Sequence, residues 1–338
     1  MSNIKEYYHD KIEAGQRGGQ HKIGWLNMSG YKPETWNPIV GCSKVSAGCE
    51  NCYAEVMGRR LKGIALAKVG PMSIWKYAKV ITDGKWNGTT YMSEVEIMKP
   101  NDWKTPRMIF VCSMGDLFHE SVPFKSIYKV IDQAVYHPEH LFIILTKRPE
   151  RMAEYFKEYP IGIGFTNAPL NNIWLGVTAE KQEQANIRIR ILLKIPAAKR
   201  FVSVEPMLGA VDLTRIKQFN GEGEHIASYQ VLEPIKNCGD SNRPALDWVI
   251  CGGESGPKAR PMHPNWVRSL RDQCKGENVP FFFKGWGTYR PLTTTKLIEN
   301  LPCGDYNVSS KLGFVKWHRT MIGATIDNCE HKEWPKED

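Results

Sequence analysis

At 338 residues the chain is long enough to bury a substantial core, and 42% hydrophobic with 24% charged residues, without a low-complexity tract, excludes a disordered or fibrous protein. Lys and Arg total 45 against 36 Asp and Glu, a formal charge of +9 that favours a polyanionic partner such as nucleic acid. A solvated basic face is the competing reading. The polar opening segment, together with the lack of any run near ~18 apolar residues, leads us to expect a cytoplasmic protein with no membrane span.

The first informative segment, residues 35–53, carries Cys42, Cys49 and Cys52. These are three thiols within eleven residues, with six residues between the first pair and two between the second. Pro38, Gly41 and Gly48 let the backbone wrap, and the two-residue gap lets two thiolates reach one metal centre. The other six cysteines, Cys112, Cys238, Cys251, Cys274, Cys303 and Cys329, are scattered singly. That distribution suits one metal site plus isolated thiols rather than a disulfide framework. Structural zinc takes four ligands, so three clustered thiols without a clear fourth favour an iron–sulfur cluster with one iron left open. A zinc site completed by His21 or a distant Cys, and redox thiols, are the alternatives.

A helical pattern at 53–62 follows, then a stretch at 66–105 that fits no strand–helix unit and reads as an insertion. From there short apolar runs, rich in β-branched or aromatic residues, recur at 108–112, 141–145, 173–177, 201–204, 248–251 and 280–283. Helical patterns lie at 125–135, 181–194 and 264–274, with a second insertion at 214–245. Residues 288–338 read as an extension packed on a main domain at 1–287. The rhythm predicts an α/β fold, either a partial or full TIM-like barrel or a doubly wound open sheet.

Polar residues gather at the tails of the runs, where a parallel barrel has its active site: Ser113-Met114-Gly115-Asp116, Thr146-Lys147-Arg148, Thr178-Ala179-Glu180, Glu205-Pro206, Gly252-Gly253-Glu254-Ser255 and Lys284-Gly285-Trp286. Lys147, Arg148, Glu254 and Lys284 are the candidate catalytic residues. Lys147 and Arg148 are too polar for a core and read as substrate or phosphate contacts, against a surface salt bridge. Asp116 and Glu180 compete with a helix-capping role, Ser203 with barrel filling, and Glu205 with a strand-terminating one before proline. Cys112 and Cys251 read as buried thiols, and His119 and His263 as structural or surface residues.

Several motifs occur in order across residues 30–287: Thr35-Trp36-Asn37-Pro38 with Gly41-Cys42, Gly48-Cys49 and Cys52-Tyr53-Ala54-Glu55, Ser113-Met114-Gly115-Asp116-Leu117-Phe118-His119, Leu145-Thr146-Lys147-Arg148-Pro149-Glu150-Arg151-Met152, Trp174-Leu175-Gly176-Val177, Ser203 with Glu205-Pro206, Gly252-Gly253-Glu254-Ser255-Gly256 and Phe282-Phe283-Lys284. The series closely resembles a family of phage and bacterial three-cysteine proteins, itself similar to a divergent branch of the radical S-adenosylmethionine (radical SAM) superfamily. The resemblance implies a radical SAM type barrel in which Cys42, Cys49 and Cys52 hold a [4Fe-4S] cluster after the first strand, its open iron chelating S-adenosylmethionine. It puts Ser113, Met114, Gly115 and Asp116 where the superfamily binds the methionyl amino group, and Thr178, Glu180, Ser203 and Glu205 where ribose and carboxylate contacts are made. The superfamily's usual loop has three residues between the first two cysteines and an aromatic before the third. This chain has six, with Asn51 in the aromatic position and Tyr53 following, so Tyr53 is the expected adenine partner.

The implied activity is cleavage of S-adenosylmethionine and hydrogen abstraction from a substrate, with an electron donor such as flavodoxin or ferredoxin. Charge and the family's phage association favour DNA or a nucleotide as substrate, as in thymine hypermodification by a radical isomerase or rearrangement step. A non-catalytic, metal-stabilised nucleic-acid-binding protein and a radical enzyme acting on a small molecule or a protein are the alternatives.

Overall fold

Seven segments alternate their side chains between a helix-covered face and a lumen, and hydrogen-bond side by side into one parallel sheet. Numbered in chain order they are β1 (Lys32–Trp36), β2 (Arg107–Val111), β3 (Leu141–Thr146), β4 (Ile173–Thr178), β5 (Lys199–Val204), β6 (Trp248–Gly252) and β7 (Phe281–Gly285). The computed structural model describes residues 23–159, 170–233, 244–291, 308–309, 314–316, 325–327 and 329–336. His21, Cys238, Cys303, residues 234–243 of the second insertion and much of 288–338 lie outside these.

The spatial order of the strands is their chain order, and every neighbouring pair is parallel. A doubly wound sheet reverses its strand order at a switch point, so that alternative is excluded. Among the described residues β1 and β7 do not pair with each other, which makes this a half-barrel of the partial TIM-like kind rather than a closed one.

Helices α1 (Tyr53–Leu66), α2 (Phe124–Tyr136), α3 (Pro149–Glu158), α4 (Gln182–Leu192) and α5 (Pro264–Gly276) lie between the strands in sequence. Four of them bury a stripe at three- and four-residue spacing, for example Ile127, Val130, Ile131 and Ala134 on α2, or Val267, Leu270 and Cys274 on α5. These stripes pack on the outward residues of the strands, among them Ile109, Val111, Phe142, Ile144, Leu175, Val177, Val202 and Val204. Cys112 and Cys251 belong to this layer as buried thiols. Between β5 and β6 the connection includes a hairpin, Ile216–Phe219 with His225–Tyr229.

The inward residues form a separate core. Trp248 is its hub, with ring centroids of Trp25, Trp174, Phe201 and Phe282 within 6.0, 6.1, 5.9 and 6.4 Å. Trp25 sits on a short 3-10 turn, Gly24–Leu26, that plugs the N-terminal end of the half-barrel. The chain's last described segment braces this floor: Trp334 Nε1 donates to Trp25 O at 2.7 Å, Trp248 Nε1 to Glu333 O at 2.8 Å, and Lys332 bridges antiparallel to Phe282 of β7. Such aromatic packing closes the lumen at one end and leaves the C-terminal ends of the strands as its mouth. Among the described residues, no helix is long and apolar enough to cross a membrane.

Candidate metal centre

The three clustered cysteines leave β1 at that mouth. Just before them Asn37 acts as a staple, its Oδ1 accepting from Met114 N at 2.8 Å and Ser113 Oγ at 3.2 Å. Gly41 N donates to Met114 O at 3.2 Å, and Gly41 adopts a φ of +97° that a side chain would strain. The 66–105 segment buttresses the loop from behind. There Val40, Tyr77, Val80, Ile81 and Met114 share a small core, and buried Lys76 Nζ donates to Asn37 O at 2.7 Å. Ser113, Met114 and Gly115 therefore grip the cysteine loop with their own polar groups, and Tyr53 OH takes Ser113 O at 2.7 Å.

Each part of the loop is tied to a different strand end. Arg148 Nη1 lies 3.6 Å from Cys42 Sγ and 3.1 Å from Asp116 Oδ2, while its Nη2 donates to Ser43 Oγ at 2.7 Å. Buried His119 completes this corner, its Nε2 2.9 Å from Ser43 Oγ. Glu180 Oε1 accepts from Ser46 Oγ at 2.6 Å and from Lys147 Nζ, and its Oε2 accepts from Arg188 Nη1 at 3.1 Å. A Cβ at Gly48 would collide with the Glu180 carboxylate, so the loop's second turn requires glycine there. Asn51 Nδ2 donates to Glu254 Oε2 at 3.1 Å, and Glu254 is clamped in turn by Arg260 Nε at 2.8 Å and Nη2 at 2.6 Å.

Asp116 has no lone pair left for an ammonium group, because Oδ1 accepts from Thr146 Oγ1 and Phe118 N and Oδ2 from Lys147 N and Arg148. Neither Asp116 nor Glu180 caps the helix after its strand by side chain; both are buried anchors. Arg148 and Glu254 are internal partners rather than exposed contacts, while Lys147 is half-buried and held by Glu180. Lys284 and Glu205 differ: they pair with each other at 2.5 Å and keep 32% and 24% of their side chains exposed at the mouth. Thr178 and Ser203 are register partners on β4 and β5, two positions beyond the inward Gly176 and Phe201. Asn37, Ser43, Ser46, His119, Arg188 and Arg260 join the site without having been singled out for it. Asn37 and His119 stand inside the motifs, Ser43, Ser46 and Arg260 beside them, and Arg188 in none.

The electrostatics follow from burial. Burial, with Asp116 adding, pushes the Cys42 thiol up to about 12 against the opposing pull of Arg148. Binding a metal there must release that proton. Burial would raise Glu180 and Glu254 too, but Lys147 with Arg188, and Arg260, hold the two carboxyls below the usual range.

The donor set tests which metal it fits. None of the three cysteines is in a disulfide. A tetrahedral zinc with bonds of ~2.3 Å holds its sulfurs about 3.8 Å apart, yet Cys42, Cys49 and Cys52 do not gather their sulfurs within 4.8 Å of one another. Three unpaired thiols beside a guanidinium are a donor set that a cluster with one open iron can use.

The family model described as a protein of unknown function (DUF5131) matches residues 21–335, and the chain belongs to that family. No curated protein and no solved structure matches it.

Proposed function

We propose that the protein is a radical SAM enzyme, with a [4Fe-4S] cluster on Cys42, Cys49 and Cys52, acting on nucleic acid or a nucleotide. The observation that carries this reading is the ligand set: three unpaired thiols on a buttressed loop at the mouth of a parallel half-barrel, the number that holds a four-iron cluster with one iron left open. When bound, the cluster supplies an electron that cleaves S-adenosylmethionine, giving a 5′-deoxyadenosyl radical able to take hydrogen from a substrate.

The chain's own residues bind and orient. Arg148 favours an anionic sulfur at Cys42, and the Glu180 and Glu254 clamps fix the rest of the loop. Lys284 and Glu205, still accessible, are complementary to the carboxylate and ammonium of a methionyl group. Tyr53, 55% exposed, offers an aromatic face for adenine. The aromatic floor keeps water out from below.

The net charge of +9 supports a polyanionic substrate. Arg188 and Arg148 are internal, so the docking surface must lie elsewhere. Helix α1 supplies one beside Cys52: Tyr53, Val56, Met57 and Arg60 are all exposed, at the three- and four-residue spacing of a single face.

The test is anaerobic incubation of reduced protein with S-adenosylmethionine, with and without single- and double-stranded DNA. Release of 5′-deoxyadenosine, lost in Cys42→Ala and stimulated by DNA unless Arg60→Glu is present, is the expected result. No release under any condition overturns the enzyme reading. Release that DNA leaves unchanged while a small molecule stimulates it overturns the substrate assignment.

A further inference from the structure

The turn joining α2 to β3 lies at the opposite end of the half-barrel from the cysteines and reads His137-Pro138-Glu139-His140. Its backbone closes with His140 N donating to His137 O at 3.1 Å, and Pro138 supplies the fixed φ that suits a tight turn. Asn172 locks it by donating its side-chain amide to the carbonyls of Ala134, His137 and His140 at 2.8, 3.2 and 3.1 Å. One ligand atom each from His137, Glu139 and His140 lies within 4.8 Å of the others, the single such group among the described residues.

His140 is 1% exposed, walled by Trp103 and Phe142, and neither of its ring nitrogens has a hydrogen-bond partner. Leaving such a group unpaired is costly, and few buried polar groups in folded proteins do so. Its Nδ1 points toward Glu139 Oε1 at 3.8 Å, too far for a hydrogen bond. His137 Nδ1 lies 3.3 Å from the same oxygen, while its Nε2 is 2.9 Å from Asn101 Oδ1. With Nε2–H donated to Asn101, Nδ1 turns a lone pair toward a carboxylate, and a cation between them relieves the opposition. Metal bonds of ~2.0–2.1 Å at a tetrahedral angle put donors about 3.3 Å apart. A histidine whose far nitrogen is held by a carbonyl is also the usual outer arrangement of a metal ligand.

We propose that His137, Glu139 and His140 bind a divalent transition-metal ion, with zinc the best match, at a site independent of the cysteine loop. Two borderline imidazole nitrogens with one carboxylate oxygen are a set that zinc accepts, and they leave a fourth position for water. The half-exposed Glu139 side chain gives the ion a path from solvent. At the N-terminal ends of the strands the ion pins α2 to β3, a stabilising role rather than a catalytic one.

The test titrates chelated full-length protein with Zn2+ by calorimetry and with Co2+ by visible absorption, beside Glu139→Gln, His140→Phe, Asn101→Ala and Cys42→Ser. One equivalent of Co2+ should bind without sulfur-to-cobalt charge transfer and survive Cys42→Ser. Glu139→Gln and His140→Phe should remove it, and Asn101→Ala, which keeps all three ligands, should weaken it by about 10-fold or more. Glu139 is solvent-facing, so its variant folds whatever happens to His140→Phe. Absence of that equivalent, its loss in Cys42→Ser, or an affinity that Glu139→Gln leaves within about two-fold would each overturn the proposal.

Discussion

The two ends of the same lumen are built on opposite principles. At the floor, inward positions are filled by Trp25, Trp174, Phe201, Trp248 and Phe282, and the packing is apolar and continuous. Toward the mouth the inward positions turn polar, and the strand tails bear Lys147, Glu180, Glu205 and Lys284, with nearly every charge answered by another. A period of two lets one strand carry both: Phe201 serves the floor, Ser203 the transition and Glu205 the mouth. The floor supplies stability through buried area. The mouth holds a loop in one conformation through charge pairing, which specifies geometry more than it adds stability.

That contrast predicts different failures at the two ends. Trp248→Ala removes the hub of the floor and should cost about 3–5 kcal/mol in urea unfolding, while the metal content of the folded fraction stays unchanged. Glu180→Gln leaves Lys147 and Arg188 without their counter-charge and should cost about 3 kcal/mol. Because Glu180 also holds Ser46, this variant should lower metal content per folded chain as well. If Trp248→Ala emptied the metal site and Glu180→Gln did not, the division of labour would be refuted.

The smallest effect belongs to the brace outside the lumen. Arg268 and Arg271 on α5 hold Asp327 down to about 2. A carboxyl with a depressed value contributes stability above its ordinary pKa of ~3.9 and loses it as pH falls toward about 2. Asp327 is 44% exposed, so screening limits this to under about 1 kcal/mol. The stability of Asp327→Asn should therefore fall less steeply than wild type between about pH 4 and 2, with the variant less stable near neutrality by that small contribution and converging on wild type in acid.

The fold was legible where burial on both faces left long apolar runs, as in Phe142-Ile143-Ile144 or Val249-Ile250-Cys251. The first strand, Lys32–Trp36, was not among those runs, because an edge strand half open to solvent tolerates Lys, Pro and Glu. Helix α3 is hard to see in the sequence because its apolar stripe, Met152, Tyr155 and Phe156, is short and follows a proline that reads first as a turn. The clustering of the three cysteines was legible in their spacing, while the iron–sulfur reading of them rests on the family resemblance as well. The roles of Asp116 and Glu180 were not legible, since the groups that fill their lone pairs come from residues as distant as Ser46, Thr146 and Lys147. His140 sat unnoticed because an imidazole shows its want of a partner only once its walls are in place.

The most direct test of the central claim is an iron, sulfide and zinc count on anaerobically purified wild type, Cys42→Ala, Cys49→Ala and Cys52→Ala. About four irons and four sulfides per wild-type chain, falling in each variant, is the expected result. Zinc bound through the cysteine loop and lost in the same variants, with no iron, would contradict it.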